Sequence, residues 1–121
     1  GFRKLIETRS IDILQPDVTW CGGLTELLRI SSMAAAYDIP VVPHGSGAYS
    51  YHFVITQPHC PFCEYLNTSP DCLSFPSVFG NLFENEILPV NGKIKLNNEP
   101  GFGMKLNRKD LNLNRVFPSN E

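Results

Sequence analysis

Residues 11–17 read Ile-Asp-Ile-Leu-Gln-Pro-Asp and residues 39–44 read Ile-Pro-Val-Val-Pro-His, two short apolar runs that each end in a polar side chain. Between them, residues 24–37 carry apolar side chains at spacings of three and four, which predicts a helix. Short apolar runs separated by a helix are typical of successive parallel strands. Because such strands end at one edge of a sheet, we expect Asp17 and His44 to lie close together.

A third run, Pro-Phe-Cys-Glu at residues 61–64, predicts a strand over 62–66 that brings Glu64 to the same edge. The chain is thus predicted to be an α/β protein, and in a (β/α) barrel this edge carries the active site. Neighbouring strands lie about 4.8 Å apart, so a carboxylate at Asp17 can bind one ring nitrogen of His44. The other nitrogen then remains free as a base. The pattern predicts proton abstraction by His44, oriented by Asp17, with Glu64 facing the same site.

Each of these three residues also has an interpretation that involves no catalysis. His44 can be a loop histidine with a satisfied hydrogen bond, and Asp17 can close the loop before Trp20. Glu64 can be a surface residue at the end of an edge strand. Their equivalent positions in successive strand units favour the catalytic interpretation.

The remaining elements are less regular. Helical patterns cover residues 2–9 and 49–56, whereas from residue 70 onward Pro, Asn and Gly dominate and helical periodicity disappears. Val90-Asn91-Gly92-Lys93 predicts a hairpin, because Asn-Gly readily adopts a type I′ turn. A further turn is predicted at 100–103, and the last dozen residues, from Asp110, are expected to form a loosely held tail.

These patterns divide the chain into three parts. Residues 1–69 hold the β/α units, residues 70–107 form an irregular segment, and residues 108–121 form the tail. The chain opens inside a helical pattern without a starting methionine, which we interpret as a piece cut out of a larger protein.

Composition excludes several classes of partner. The 121 residues are 42% hydrophobic and 18% charged, and the net charge of −2 gives no electrostatic case for binding nucleic acid or an anionic membrane. No apolar run approaches the roughly 20 residues of a membrane span. Nothing marks the chain as secreted, so we expect a cytoplasmic protein whose four cysteines are reduced.

The cysteines leave two further hypotheses open. Cys60-Pro61-Phe62-Cys63 looks like a redox motif, although that chemistry needs the first thiol at a helix N-terminus. A zinc module would use Cys60, Cys63 and Cys72 with His52 or His59, although the second half of the pattern offers no further C-x₂-C or H-x₃-H pair.

Four stretches of the chain resemble the mandelate-racemase-like branch of the enolase superfamily. The spacing of Asp17, His44 and Glu64 agrees with that family without a gap, and the resemblance covers nearly the whole chain. The stretches are Asp-Ile-Leu-Gln-Pro-Asp-Val-Thr-Trp-Cys-Gly-Gly-Leu-Thr-Glu at 12–26, Pro-Val-Val-Pro-His-Gly at 40–45, Tyr-Ser-Tyr-His-Phe at 49–53 and Pro-Gly-Phe-Gly at 100–103.

The resemblance implies the C-terminal part of a (β/α)7β TIM-type barrel, of which this chain supplies about three strands. The irregular segment after residue 70 would pack on a capping domain. The implied reaction is loss of water from a sugar acid. A histidine matching His44 removes the proton next to the carboxylate, and its conjugate acid helps the 3-hydroxyl leave. An aspartate matching Asp17 pairs with that histidine, and a glutamate matching Glu64 hydrogen-bonds the enolic oxygen.

The resemblance also implies Mg²⁺ on the substrate carboxylate, held by three carboxylates at the ends of earlier strands. Nothing in this chain corresponds to those carboxylates, so we expect no metal ligands here and a fragment that is inactive alone. The implied partners are a small-molecule sugar acid and, for the complete protein, further copies of itself. The alternative is a truncated, non-catalytic relic that binds another protein through exposed barrel edges.

Overall fold

Three helices lie in the part of the chain that the computed structural model describes, residues 1–45 and 47–109. All three were predicted, and their ends differ from the predicted ends by at most two residues. None of the described helices is long and apolar enough to cross a membrane. The predicted tail from Asp110 lies outside the described residues. The helices are α1 (Phe2–Glu7), α2 (Leu24–Ala35) and α3 (Ala48–Thr56).

The end of α2 turns the chain sharply toward the site. Asp38 adopts a left-handed conformation with φ of 58°, which Asp tolerates better than most residues. The N–H groups of Asp38 and Ile39 donate to the carbonyls of Ala35 and Ala34 at 3.1 and 3.0 Å. This is the Schellman pattern of helix termination. It leads the chain from α2 straight into the buried run that ends at His44.

The two runs that open the sequence pair in parallel. The N–H of Leu14 donates to the carbonyl of Pro40 at 2.9 Å, and the N–H of Val42 donates to the carbonyl of Leu14 at the same distance. Leu14 pairs with Val41 and Asp17 with His44, and both pairs keep one register. The predicted neighbourhood of Asp17 and His44 is therefore present, although the pairing is limited to these two bridges rather than a full strand over 11–16.

The third predicted strand, 62–66, is absent: residues 61–69, all of them described, contain no regular secondary structure and form no ladder. Alternate N–H groups of a strand point to opposite neighbours. Those of Val42 and His44 point to the first run, whereas that of Val41 points the other way and reaches the carbonyl of His59 at 3.4 Å. The next donor on that side would belong to Pro43, which has no N–H. The prediction was wrong because proline removes a donor that this ladder needs.

The core lies between the helices and the paired runs. Ile6 of α1 and Leu27 of α2 are fully buried, as are Leu14 and Val41 of the two runs. Phe53 closes the cluster from α3. Consecutive residues 41–43 of the second run are all buried, so the ladder that carries Asp17 and His44 rests on a packed apolar layer.

The described part of the segment after residue 70 contains no helix. Its predicted hairpin is confirmed, since Val90 and Lys93 exchange N–H···O bonds of 2.9 and 3.1 Å. Asn91 and Gly92 have the positive φ values, 51° and 70°, that a type I′ turn requires.

Two other features organise this segment. The predicted turn at 100–103 is confirmed by a bond from the N–H of Gly103 to the carbonyl of Pro100 at 3.3 Å. An antiparallel bridge between Phe83 and Leu106 was not predicted. The turn itself contacts α3 through Phe102, whose ring lies against Tyr49 and His52.

Two neighbouring leucines of α2 test the packing. Leu27 is fully buried, whereas Leu28 is 42% exposed. We expect Leu27→Ala to lower the free energy of unfolding by about 2–5 kcal/mol, because it opens a cavity in the core. Leu28→Ala, on the same helix, should have a clearly smaller effect. Urea denaturation followed by circular dichroism measures both, and equal losses would contradict the packing described.

Candidate active site

Asp17 is held by the turn that follows the first run. Its Oδ1 accepts hydrogen bonds from the N–H and the hydroxyl of Thr19, at 2.7 and 2.5 Å, and from the N–H of Trp20 at 3.3 Å. Its backbone carbonyl accepts from the N–H of Cys21 at 2.8 Å. The proposed loop-closing role of Asp17 is thus real, and it coexists with a position beside His44.

His44 is contacted by Glu64. The Nδ1 of His44 lies 2.8 Å from Oε2 of Glu64, and the same oxygen accepts the N–H of Gly45 at 2.6 Å. The side chains are 50% and 26% exposed. A carboxylate accepting from Nδ1 favours the tautomer in which Nε2 carries the free lone pair. The arrangement therefore leaves His44 with a basic nitrogen.

The predicted side-chain bond between Asp17 and His44 is not formed in the part of the chain that the structure describes. The carboxylate of Asp17 instead lies near Gly45, the residue after His44. Its Oδ2 is 3.7 Å from the position that a Cβ would take at Gly45. Because Oδ1 accepts hydrogen bonds from Thr19 and Trp20, the Asp17 side chain is held by the turn that follows it and not by His44. Glu64, which sequence reasoning placed on the far side of the site, takes the contact with the imidazole.

A cavity of about 190 Å³ opens at this edge of the ladder. Its lining combines polar and apolar residues, as in small-molecule sites. A larger cavity of about 520 Å³ lies along the 90–93 hairpin, but its lining contains neither a histidine nor a cysteine. The smaller cavity is lined by Asp17, Thr19, His44, Gly45, Tyr49, Leu66, Val78 and Phe79.

Tyr49 was not singled out as a site residue from the sequence. It lies in the first turn of α3 and lines the cavity with Asp17 and His44. Burial raises the pKa of its phenol, and the negative charge of Asp17 raises it further. The available signal was its position at the start of the helix that follows the His44 strand, where barrel loops place functional groups.

The structure contradicts the redox hypothesis for Cys60 and Cys63. No helix begins at Cys60, so no helix dipole stabilises its thiolate. Burial instead raises the pKa of Cys60 to about 11, and it also raises the pKa of Cys63. Both thiols are free, and both pack as small apolar side chains.

The zinc hypothesis is not supported either. Within residues 1–45 and 47–109, no three His, Cys, Asp or Glu side chains come together in a way that could hold a metal ion. The ring of His59 instead contacts the buried hydroxyl of Ser31, with Nε2 2.9 Å from Oγ.

The chain matches the family model of enolase C-terminal domain-like proteins over residues 1–110. The chain therefore belongs to the enolase C-terminal domain-like family, and the predicted superfamily is confirmed. The structural neighbours of the chain are members of this barrel-forming superfamily, so the predicted architecture is confirmed at that level.

Several relatives of the chain are named as rhamnonate dehydratases. The L-rhamnonate dehydratase of Saccharopolyspora erythraea is 50% identical over 117 residues, which are 97% of this chain and 30% of that protein. The crystal structure of L-rhamnonate dehydratase from Gibberella zeae is 57% identical and superposes with a TM-score of 0.82, covering 90% of this chain and 28% of the other. A second structure of the Gibberella zeae protein, complexed with Mg, gives 57% identity and a TM-score of 0.79 over 90% and 27%. The chain thus spans 29–30% of the length of the curated relatives it matches.

Alkylation tests the state of the thiols. With a pKa of about 11, only about one thousandth of Cys60 is thiolate at pH 8. Its iodoacetamide labelling should therefore be slow and should rise about tenfold per pH unit up to pH 10. The exposed Cys72 serves as the internal reference in peptide mass spectrometry. Labelling of Cys60 at pH 8 as fast as that of Cys72 would contradict its burial.

Proposed function

We propose that this chain forms part of a Mg²⁺-dependent hydro-lyase that removes water from a sugar acid. L-rhamnonate is the proposed substrate and 2-keto-3-deoxy-L-rhamnonate the product. The family and the relatives named L-rhamnonate dehydratase support the reaction class. The observation that supports the proposal for this chain is the 2.8 Å contact of Glu64 with His44, which lines one cavity together with Asp17.

In this proposal His44 acts first as a base. Its Nε2 takes the proton next to the substrate carboxylate, and the electron pair left behind forms an enediolate double bond between C1 and C2. The imidazolium then gives a proton to the 3-hydroxyl, the enediolate pair moves into a C2–C3 double bond as the C3–O bond breaks, and water leaves from the same face. The enol product tautomerises to the 2-keto-3-deoxy acid. General acid–base catalysis of this kind contributes about 10²–10⁴-fold to the rate.

Asp17 and Glu64 share the task of supporting His44. The carboxylate of Glu64 stabilises the imidazolium through Nδ1, and this contact also fixes the ring. We propose Asp17 as the orienting partner predicted from the sequence, which requires a rotation of its side chain away from Thr19. The alternative role of Glu64, a hydrogen bond to the enolic oxygen, requires the carboxylate to release Nδ1. Asp17 and Glu64 thus compete for the same ring nitrogen of His44. Substituting each carboxylate in turn measures its contribution separately.

The described residues of this chain do not fit a magnesium site, since no three metal-ligating side chains meet. We propose that the ligands belong to the remainder of a protein as long as the relatives, one of which has been crystallised with Mg. We likewise propose that the complete protein assembles from several copies. Residues 70–107 are proposed to pack on a capping domain.

A chimera tests the reaction. In it, this chain replaces the segment that it matches in the Saccharopolyspora erythraea relative. We expect the chimera to dehydrate L-rhamnonate in the presence of Mg²⁺, because the relative supplies the missing part of the barrel. The purified chain alone should show no turnover. The 2-keto product is detected by semicarbazide absorbance.

Two outcomes would count against the proposal. Turnover by the isolated chain would show that no further segment is needed. A folded chimera that binds Mg²⁺ without any turnover would favour the non-catalytic relic.

Single substitutions in the chimera test the roles. His44→Asn should lower kcat by at least about 10²–10⁴-fold, because it removes the base. Asp17→Asn should leave KM nearly unchanged and lower kcat, because it weakens support for the imidazolium. Glu64→Gln should lower kcat further than Asp17→Asn if Glu64 is the main partner of Nδ1, as the 2.8 Å contact indicates.

Glu26→Gln provides the matched control, because this carboxylate makes a surface ion pair with Arg29 on α2. It should change kcat by less than about twofold. Full activity of the His44→Asn chimera would show that another group is the base.

A further inference from the structure

The hydroxyl of Tyr49 is the one polar group lining the candidate cavity for which neither the sequence pattern nor the proposed mechanism provides a role. Within residues 1–45 and 47–109, the structure gives this hydroxyl no hydrogen bond. The other polar side chains of the lining, those of Asp17, Thr19 and His44, all have partners. An unpaired hydroxyl beside such groups is available to a ligand.

Gly47 makes room for this phenol. A Cβ at residue 47 would lie 2.7 Å from Cζ and 3.1 Å from the hydroxyl oxygen of Tyr49. The backbone of Gly47 is extended, with φ of −154° and ψ of 152°, which any residue adopts. Glycine is therefore needed here for the space above its α-carbon rather than for its backbone freedom. The ring of Tyr49 folds back over that space.

Phe102 contacts the ring of Tyr49. The two rings meet edge to face, with centroids 6.1 Å apart and an interplanar angle of 85°. Phe102 also contacts His52, one turn further along α3, at 5.6 Å. The Pro100–Gly103 turn thus packs on the first turns of α3 through Phe102, and this contact helps to position the phenol at the cavity.

The surroundings keep this phenol protonated. Burial and the charge of Asp17 both raise its pKa, so the hydroxyl is a hydrogen-bond donor at neutral pH. A donor that faces a cavity and lies near a carboxylate suits a ligand rich in oxygen acceptors. Polyhydroxy acids are ligands of that kind.

We infer that Tyr49 is a substrate-binding residue, whose hydroxyl donates a hydrogen bond to an oxygen of the bound sugar acid. Gly47 and Phe102 act as positioning residues for this phenol. The inference rests on the proposed function, because it takes the ligand of the cavity to be a sugar acid. It adds a contact from the first turn of α3 to Asp17, His44 and Glu64.

Binding to an inactive chimera tests the inference without turnover. The His44→Asn chimera is titrated with L-rhamnonate and Mg²⁺ in a calorimeter, so that the ligand is not consumed. Tyr49→Phe in this background should raise Kd about tenfold, since one hydrogen bond is lost. Tyr37→Phe is the matched control, because Tyr37 lies in the turn after the C-terminal end of α2, outside the cavity lining. It should leave Kd unchanged within about twofold.

A double-mutant cycle distinguishes an effect of Gly47→Ala that acts through the Tyr49 hydroxyl from one that acts through the backbone. Gly47→Ala should also raise Kd several-fold when Tyr49 is present, because the new Cβ displaces the ring. In the Tyr49→Phe background the same substitution should have little further effect. Thermal unfolding of each variant shows that the chimera remains folded.

Three results would overturn the inference. Equal Kd values with and without the Tyr49 hydroxyl would exclude the hydrogen bond, while turnover by the unsubstituted chimera would leave the proposed function standing. An equal effect of Gly47→Ala in both backgrounds would assign that effect to the helix start. If the His44→Asn chimera binds no L-rhamnonate, the inference falls together with the sugar-acid assignment of the cavity.

Discussion

The parallel pairing of residues 14–17 with 41–44 is the constraint on which the rest of the structure depends. Its backbone bonds fix the register, and the register puts Asp17 and His44 at one edge. A shift by one residue would turn His44 to the other face of the ladder. Leu14 and Val41, buried at the opposite end, anchor the pairing in the core.

Where the backbone pairing stops, the carboxylate of Glu64 makes the next contact. Pro43 has no N–H, so the third run, residues 61–64, cannot continue the backbone pairing on that side. Glu64 compensates with its side chain, which binds both the ring of His44 and the N–H of Gly45. The same oxygen therefore attaches the third run to the loop after the second and sets the orientation of the imidazole. The Glu64 carboxylate therefore both holds the local backbone and supports the proposed base.

The cavity is assembled from three kinds of element. The strand ends supply Asp17 and His44, the start of α3 supplies Tyr49, and the irregular segment supplies Val78 and Phe79. The same segment supplies Phe102, which meets Tyr49 edge to face. The part of the chain without regular secondary structure thus shapes the site as much as the helices do. Family membership alone would not have singled out this contribution.

The sequence by itself determined the local elements of this protein, because helix periodicity, the Asn91-Gly92 turn and the buried runs each depend on neighbouring residues. It also predicted that Asp17 and His44 lie together, since equivalent positions in successive parallel runs share an edge. Tertiary structure decided which carboxylate binds the imidazole: Thr19 and Trp20 compete for Asp17, and that competition depends on a turn geometry that spacing does not record. It also decided that Gly47 is needed for space, because the Tyr49 ring that fills this space is placed by Phe102, far along the chain.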